Sequence, residues 1–257
     1  MESRSFPSNF DIAGRYAKHR KQHYLRYANR SKFRKKNKNI LKMIQTDELV
    51  ERISQIENGF KHIYSEAENI ISTSTNEESF KIAEQLYNYD AYQARMLATV
   101  IFGHLAYEDK EAYDFLKSRI SFDSNWRVQE MLATAFDLFC KYTGYENSVP
   151  VINEWLNDSN PNICRAVTEG LRFWTKRPYF KDNPKLAIEL ISRHKNHESE
   201  FVRKSVGNAL KDISRKYKLL IEDELSTWDL TNARILLTSK YATKHLNKPT
   251  KKNEETK

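Results

Sequence analysis

The amino-acid sequence predicts an all-α fold assembled from stacked two-helix repeats, and three observations carry that reading. Alternating strand-like patterns are absent, and only 6 Gly and 6 Pro stand against 30% charged residues, which favours long helices and short turns. Apolar residues recur at spacings of three or four through most of the chain. A five-residue signature also returns every 39 residues: Val128-x-Glu130-x-Leu132, Val167-x-Glu169-x-Leu171 and Val206-x-Asn208-x-Leu210. The run from Arg165 to Arg172 lies over the run from Lys204 to Lys211, and upstream Arg95-Met-Leu-Ala-Thr99 returns as Glu130-Met-Leu-Ala-Thr134 at a spacing of 35. These periods fit a HEAT-type helical pair, slightly short of the usual ~40–47 residues. The expected architecture is a right-handed α-solenoid of HEAT-like helical repeats with a concave basic face. In such a stack, equivalent positions of successive repeats line one surface.

The elements follow in order. Residues 1–10 read as a loose arm, and a basic helix is expected over 12–36 with Tyr16, Tyr24 and Tyr27 roughly on one side. Next, Thr46 serves as N-cap, Asp47 and Glu48 favour the first turn, and Leu49, Ile53, Ile56, Phe60, Ile63, Ala67 and Ile70 continue one helical stripe. Further helices are expected near 77–89, 91–106, 109–120, 124–142, 149–157, 162–175, 184–195, 199–217 and 230–246. Asn183-Pro184 reads as a cap followed by proline in the first turn, and Asp158-Ser-Asn-Pro161 as a turn cluster. The helices pair as outer (109–120, 149–157, 184–195) followed by inner (124–142, 162–175, 199–217). Three regions result: a basic arm and helix over 1–45, on or flanking the solenoid, the repeat domain over 46–247, and a disordered tail over 248–257.

Composition narrows the partners. The net charge is +9, yet 12 Lys or Arg and no acid lie between Asp11 and Asp47, so the remainder sums to −3 (9 minus 12). That block also carries Tyr16, Tyr24, Tyr27 and Phe33. Cations interleaved with aromatics suit a polyanion, by ion pairing with phosphate and by packing on sugar or base. A solvated helix whose tyrosines dock on the solenoid is the alternative. An interfacial membrane helix is disfavoured by its poor apolar face. No apolar run approaches ~18 residues and no signal-type core opens the chain, so an intracellular, cytoplasmic protein is expected. Cys140 and Cys164 have no CxxC context and read as buried free thiols. The seven histidines share no metal-ligand spacing, and there is no Gly-rich phosphate loop. No metal or cofactor is expected.

Register makes the site candidates. Val and Leu of the signature share one helix face, while the central polar residue points elsewhere, together with the residue four before it. Trp126 thus accompanies Glu130, Arg165 accompanies Glu169, and Lys204 accompanies Asn208, with Arg95 as an upstream member of the row. Arg95, Arg127, Arg165, Arg172, Arg203, Lys204, Asn208 and Lys211 are the DNA-binding candidates, since backbone contacts need cations at phosphate spacing. Carboxylates repel phosphate, so Glu130 and Glu169 need a reason to be there. Either they order neighbouring arginines, or they are catalytic: breaking an N-glycosidic bond builds positive charge on the sugar, which a carboxylate stabilises while orienting water. Trp126 either offers its ring face to a cationic base or packs in the core.

The segments Asn125–Glu130, Arg165–Arg172 and Phe201–Ser214 resemble the AlkC/AlkD family of HEAT-like repeat DNA alkylation repair glycosylases, over about residues 80–246. The resemblance implies removal of cationic N3- or N7-alkylated purines from duplex DNA, with the backbone gripped on a concave face and the base not drawn into a pocket. It assigns Glu130 to the catalytic carboxylate and Trp126 to the aromatic one turn earlier. Glu169 matches an acidic position of the AlkC branch, and Arg165 a backbone-contacting arginine. Two departures stand out. Glu130 replaces the aspartate of the AlkD branch, and Asn208 stands where that branch has tryptophan. The working expectation is a glycosylase acting as a monomer on double-stranded DNA. A noncatalytic protein reading bent or branched DNA and a protein-interaction scaffold are the alternatives.

Overall fold

A computed structural model of the protein describes residues 46–246; the expected arm, basic helix and tail lie outside the described residues. Among the described residues there are helices and no strands. The chain divides at Ile101/Phe102 into two compact units. The first holds α1 (Thr46–Ser54), α2 (Lys61–Thr73), α3 (Asn76–Tyr87) and most of α4 (Tyr92–Leu105). The second holds α5 (Lys110–Ser118), a 3₁₀ turn (Ile120–Phe122), α6 (Trp126–Thr143), α7 (Val149–Leu156), α8 (Pro161–Trp174), α9 (Pro178–Asp182), α10 (Pro184–Ser192), α11 (Glu200–Ser214), α12 (Lys218–Ser226) and α13 (Ala233–Ala242).

In the first unit the stripe from Leu49 to Ile70 is not one helix. It breaks between Ser54 and Lys61, with Gly59 at φ +90°, a conformation that side chains with a Cβ rarely adopt. Residues from the start of α4 satisfy the carbonyls released there. Gln93 Nε2 donates to the carbonyls of Ser54 (3.2 Å) and Ile56 (3.4 Å), and the Tyr92 hydroxyl to that of Glu57 (3.2 Å). Thr46 is the first helical residue rather than a cap; its hydroxyl donates to Gln85. A full capping box starts α3 instead, with Thr75 and Glu78 bonded reciprocally.

In the second unit, α6, α8, α11 and α13 pack each on the next to form an inner layer. α7 packs on α8, while α10 and α12 pack on α11. Val128, Leu132, Val167, Leu171, Val206 and Leu210 are all fully buried, so the repeated signature is the seam of this stack. Each such side chain contributes roughly 1.5–3 kcal/mol of burial. Asparagines start three of the four inner helices. Asn125, Asn160 and Asn232 each accept the backbone N–H two residues on. Asn183 holds the cap position of α10, but its amide donates backward to the Tyr179 carbonyl. Two helices escape the sequence pattern. α9 is five residues long, and α12 buries little beyond Ile221, so neither shows a clear apolar stripe.

The inner layer closes tightly where α11 meets α13. A Cβ at Gly207 would stand 2.4 Å from Tyr241 Cβ and 2.7 Å from the Thr238 carbonyl oxygen. Gly207→Ala is therefore expected to destabilise the protein. Overpacking costs about 1–3 kcal/mol and is only partly offset by ~1 kcal/mol of helix propensity, because the obstacle includes backbone. Urea titration reads the difference, and unchanged stability would contradict the close approach.

Cys140 and Cys164 are buried and unpaired. Desolvation pushes both thiols up, Cys164 to about 12, which suppresses the reactive thiolate. Among the described residues no helix is long and apolar enough to cross a membrane, and no three His, Cys, Asp or Glu side chains gather as a metal site.

Candidate active site

The inner helices bring side chains from distant repeats onto one wall. Asn125 caps α6, so Trp126 and Arg127 open the helix and Glu130 follows one turn later. Trp126 is 54% exposed, which removes the core-packing alternative, and the Arg127 guanidinium lies over its ring at 4.5 Å. On α8, Arg165, Glu169 and Arg172 are half-buried.

The two glutamates differ in their partners. Glu169 is fully engaged. Its Oε1 accepts from the Ser205 hydroxyl at 2.8 Å, and its Oε2 pairs with Arg172 Nη1 at 2.9 Å. Glu130 has no hydrogen bond or ion pair among the described residues. Its carboxyl is solvent-accessible yet crowded. Desolvation raises its pKa, with like charge from Glu169 adding, and Arg165, Arg127 and Arg172 offset only part of the shift. Arg165 thus faces Glu130 beyond ion-pair distance, and all four charges act on the same carboxylate.

From Glu169 a ladder of charges runs across the stack. Arg172 Nε lies 3.4 Å from Asp212 on α11. Asp212 in turn neighbours Lys211 (3.8 Å), Arg215 (3.7 Å) and His245 (3.9 Å). Lys211 also donates to Asn208 Oδ1 at 3.2 Å. Lys204 pairs with Glu200 at 2.6 Å, an exposed i,i+4 contact of little strength, so its ammonium remains on the surface.

Arg203 is turned away from the surface, and Arg95 is engaged by backbone in the first unit. Arg203 is 8% exposed, and its Nη1 donates to the carbonyls of His197 (2.6 Å) and Glu198 (2.7 Å), pinning the loop before α11. It shares a helix with Lys204 but points about 100° away, so adjacency in sequence misled. Arg95 lies in the first unit and spends its Nη1 on the carbonyls of Tyr89 and Asp90 (3.0 and 2.7 Å). Both arginines clamp the turn that precedes their own helix. Conversely, Ser205, Asp212, Arg215 and His245 had no assigned role. Asp212 was detectable, since it stands one turn after Asn208 on the same stripe. Ser205 was not, because its role depends on the separation of α8 and α11.

Comparisons with known proteins agree with this architecture. The profile of the family described as "DNA alkylation repair enzyme" matches residues 52–246. The chain is similar to the crystal structure of AlkD2 from Streptococcus mutans, with TM-score 0.76 and 46% identity, covering 79% of this chain and 98% of that one. It is also similar to smu.31 from Streptococcus mutans UA159, with TM-score 0.72 and 44% identity over 78% of this chain and 99% of that one. Among curated proteins it is 30% identical over 87 residues to the "Uncharacterized protein YhaZ" of Bacillus subtilis (strain 168). That match takes in 32% of this chain and about a quarter of the relative's length, 24%. With the profile extending over most of its length and through every inner helix, the chain belongs to the DNA alkylation repair enzyme family.

Proposed function

We propose that the protein is a DNA glycosylase that hydrolyses the N-glycosidic bond of cationic N3- or N7-alkylated purines in duplex DNA. One observation carries this reading: Glu130 is an accessible carboxylate without a partner, set among arginines beside the half-exposed ring of Trp126. A carboxylate already paired would have to break that contact before meeting a developing cation; Glu130 does not. When the C1′–N bond breaks, its electron pair cancels the charge of the alkylated base and leaves positive charge on the sugar. Glu130 stabilises that charge and takes the proton of the water that adds to C1′. The lesion's own charge weakens the bond, so the protein needs to supply only about 4–7 kcal/mol for a ~10³–10⁵-fold acceleration. Arg127, Arg165, Arg172, Lys204, Lys211 and Asn208 are the backbone contacts, and Trp126 offers its face to the cationic base. The reading requires one copy of the chain, no cofactor, and access to cytoplasmic DNA.

The test is direct. Incubated in excess with methylated duplex DNA, the protein should release N3-methyladenine or N7-methylguanine, read by chromatography; duplex returned with every alkylated base in place would refute the assignment. Its pH profile is a second expected result. The base form of Glu130 is the active one, and its pKa is raised. The single-turnover rate should therefore rise with pH along an acid limb displaced upward from that of an ordinary glutamate. A rate that is flat down to pH ~4.5 would exclude Glu130 as the proton acceptor.

The competing reading is a noncatalytic protein that recognises bent or branched DNA by shape and charge. The ladder from Glu169 through Arg172 to Asp212 favours it, because those carboxylates are consumed in ordering cations. On that reading Glu130 is dispensable.

A further inference from the structure

The hydroxyls of Thr168 and Ser205 meet between α8 and α11, at 2.7 Å, with both residues buried (0% and 4% exposed). Each hydroxyl has a single proton, so the direction of the chain can be worked out. Arg172 pairs with Glu169 at Oε2, which keeps the carboxylate an acceptor, and Ser205 therefore donates its proton to Oε1. Ser205 then has only lone pairs left for Thr168, so Thr168 is the donor in their contact. The Thr168 hydroxyl also lies 3.0 Å from the carbonyl of Arg165, a second acceptor within its reach. The result is a directed chain, Thr168 to Ser205 to Glu169, in which the Arg165 carbonyl competes with Ser205 for the Thr168 proton.

We infer that Ser205, backed by Thr168, is a positioning residue that fixes Glu169 as an oriented, stationary negative charge and leaves Glu130 as the carboxylate that accepts the proton of the attacking water. The inference rests on the glycosylase reading and divides the labour within it. Both oxygens of Glu169 are committed, so turning one to water would break a hydrogen bond to a buried hydroxyl or an ion pair. Both oxygens of Glu130 are available. Glu169 instead holds Arg172 in place and contributes negative potential beside the sugar. The proton balance closes with one acceptor: water adds to C1′, the base departs with the bonding pair, and the proton passes to Glu130 and then to solvent.

The experiment is a double-mutant cycle on single-turnover excision from methylated duplex. Ser205→Ala should lower the rate about ten- to a hundredfold, the scale of a lost hydrogen bond to a charged acceptor, with affinity for unmodified duplex within about twofold. Thr168→Val should lower it less, and Thr168→Ser, which keeps the hydroxyl, should restore it. In a Glu169→Gln background Ser205→Ala should add little, because it acts through that carboxylate. Ser205→Ala at the wild-type rate overturns the positioning role and leaves the assignment of Glu130 standing. Fully additive losses overturn it as well, since they mark a general packing defect. A wild-type protein that releases no base removes the functional reading itself and this inference with it.

Discussion

Glu130→Gln is expected to lower excision of cationic alkylpurines by on the order of 10²–10³-fold, while affinity for duplex DNA stays within about twofold. Glutamine keeps the volume and the position of the side chain but carries no charge to stabilise the sugar and no lone pair basic enough to take the proton. The structure also makes this a clean substitution. Glu130 has no partner among the described residues, so no hydrogen bond or ion pair of the fold is broken. Linkage sharpens the point. A carboxyl whose pKa is raised in the folded state is destabilising when ionised, above that pKa, and neutral in effect below the unfolded value. At neutral pH the Glu130→Gln protein should therefore melt at the same temperature as wild type or slightly higher. Loss of excision with an intact melt and intact duplex binding is the signature of a catalytic carboxylate. Wild-type excision by this variant would take the catalytic role away from Glu130.

Trp174→Ala should be the most damaging single change to stability, by about 3–5 kcal/mol. Trp174 follows the exposed Phe173 at the end of α8. The structure puts it fully inside the second unit, with ring centroids 5.4 Å from Tyr145, 5.8 Å from Phe180 and 6.0 Å from Phe136. Phe136 in turn stacks on Trp155 at 4.0 Å, so the indole anchors an aromatic cluster joining α6, α7, α8 and α9. Its Nε1 is buried without a hydrogen-bond partner. Trp174→Phe deletes that orphan donor along with part of the ring and should cost much less than alanine. Chemical denaturation separates the variants. Unchanged stability of the alanine variant together with weakened duplex binding would put the indole on the surface.

Taken together, the two substitutions describe a wall and what supports it. Glu130 can be altered without disturbing the fold because, among the described residues, no hydrogen bond or ion pair holds it. Trp174 is buried away from solvent, yet the register of α8 against α6, and with it the placing of Arg165 beside Glu130, rests on the cluster it completes. Salt should act on the same wall. If Arg127, Arg165, Lys204 and Lys211 meet phosphates, affinity falls steeply as salt rises, whereas the part-buried Ser205–Glu169 bond is screened less.

The sequence alone determined the stack and its seam. Val128, Leu132, Val167, Leu171, Val206 and Leu210 recur at a fixed period, and a helix converts that period into one buried face whatever lies beyond it. The same arithmetic placed Trp126, Glu130, Arg165 and Glu169 on a common accessible stripe. Only the tertiary structure decided which glutamate is tied and which is not, because the tie comes from Ser205, 36 residues away on the next helix. It also turned Arg203 inward, broke the first apolar stripe at Gly59, and buried Trp174. The physical reason is the range of the interaction. Helical periodicity is set by neighbours three and four residues away and is written in local order, whereas the partner of a polar side chain depends on the distance between helices, which the packing of the whole unit sets.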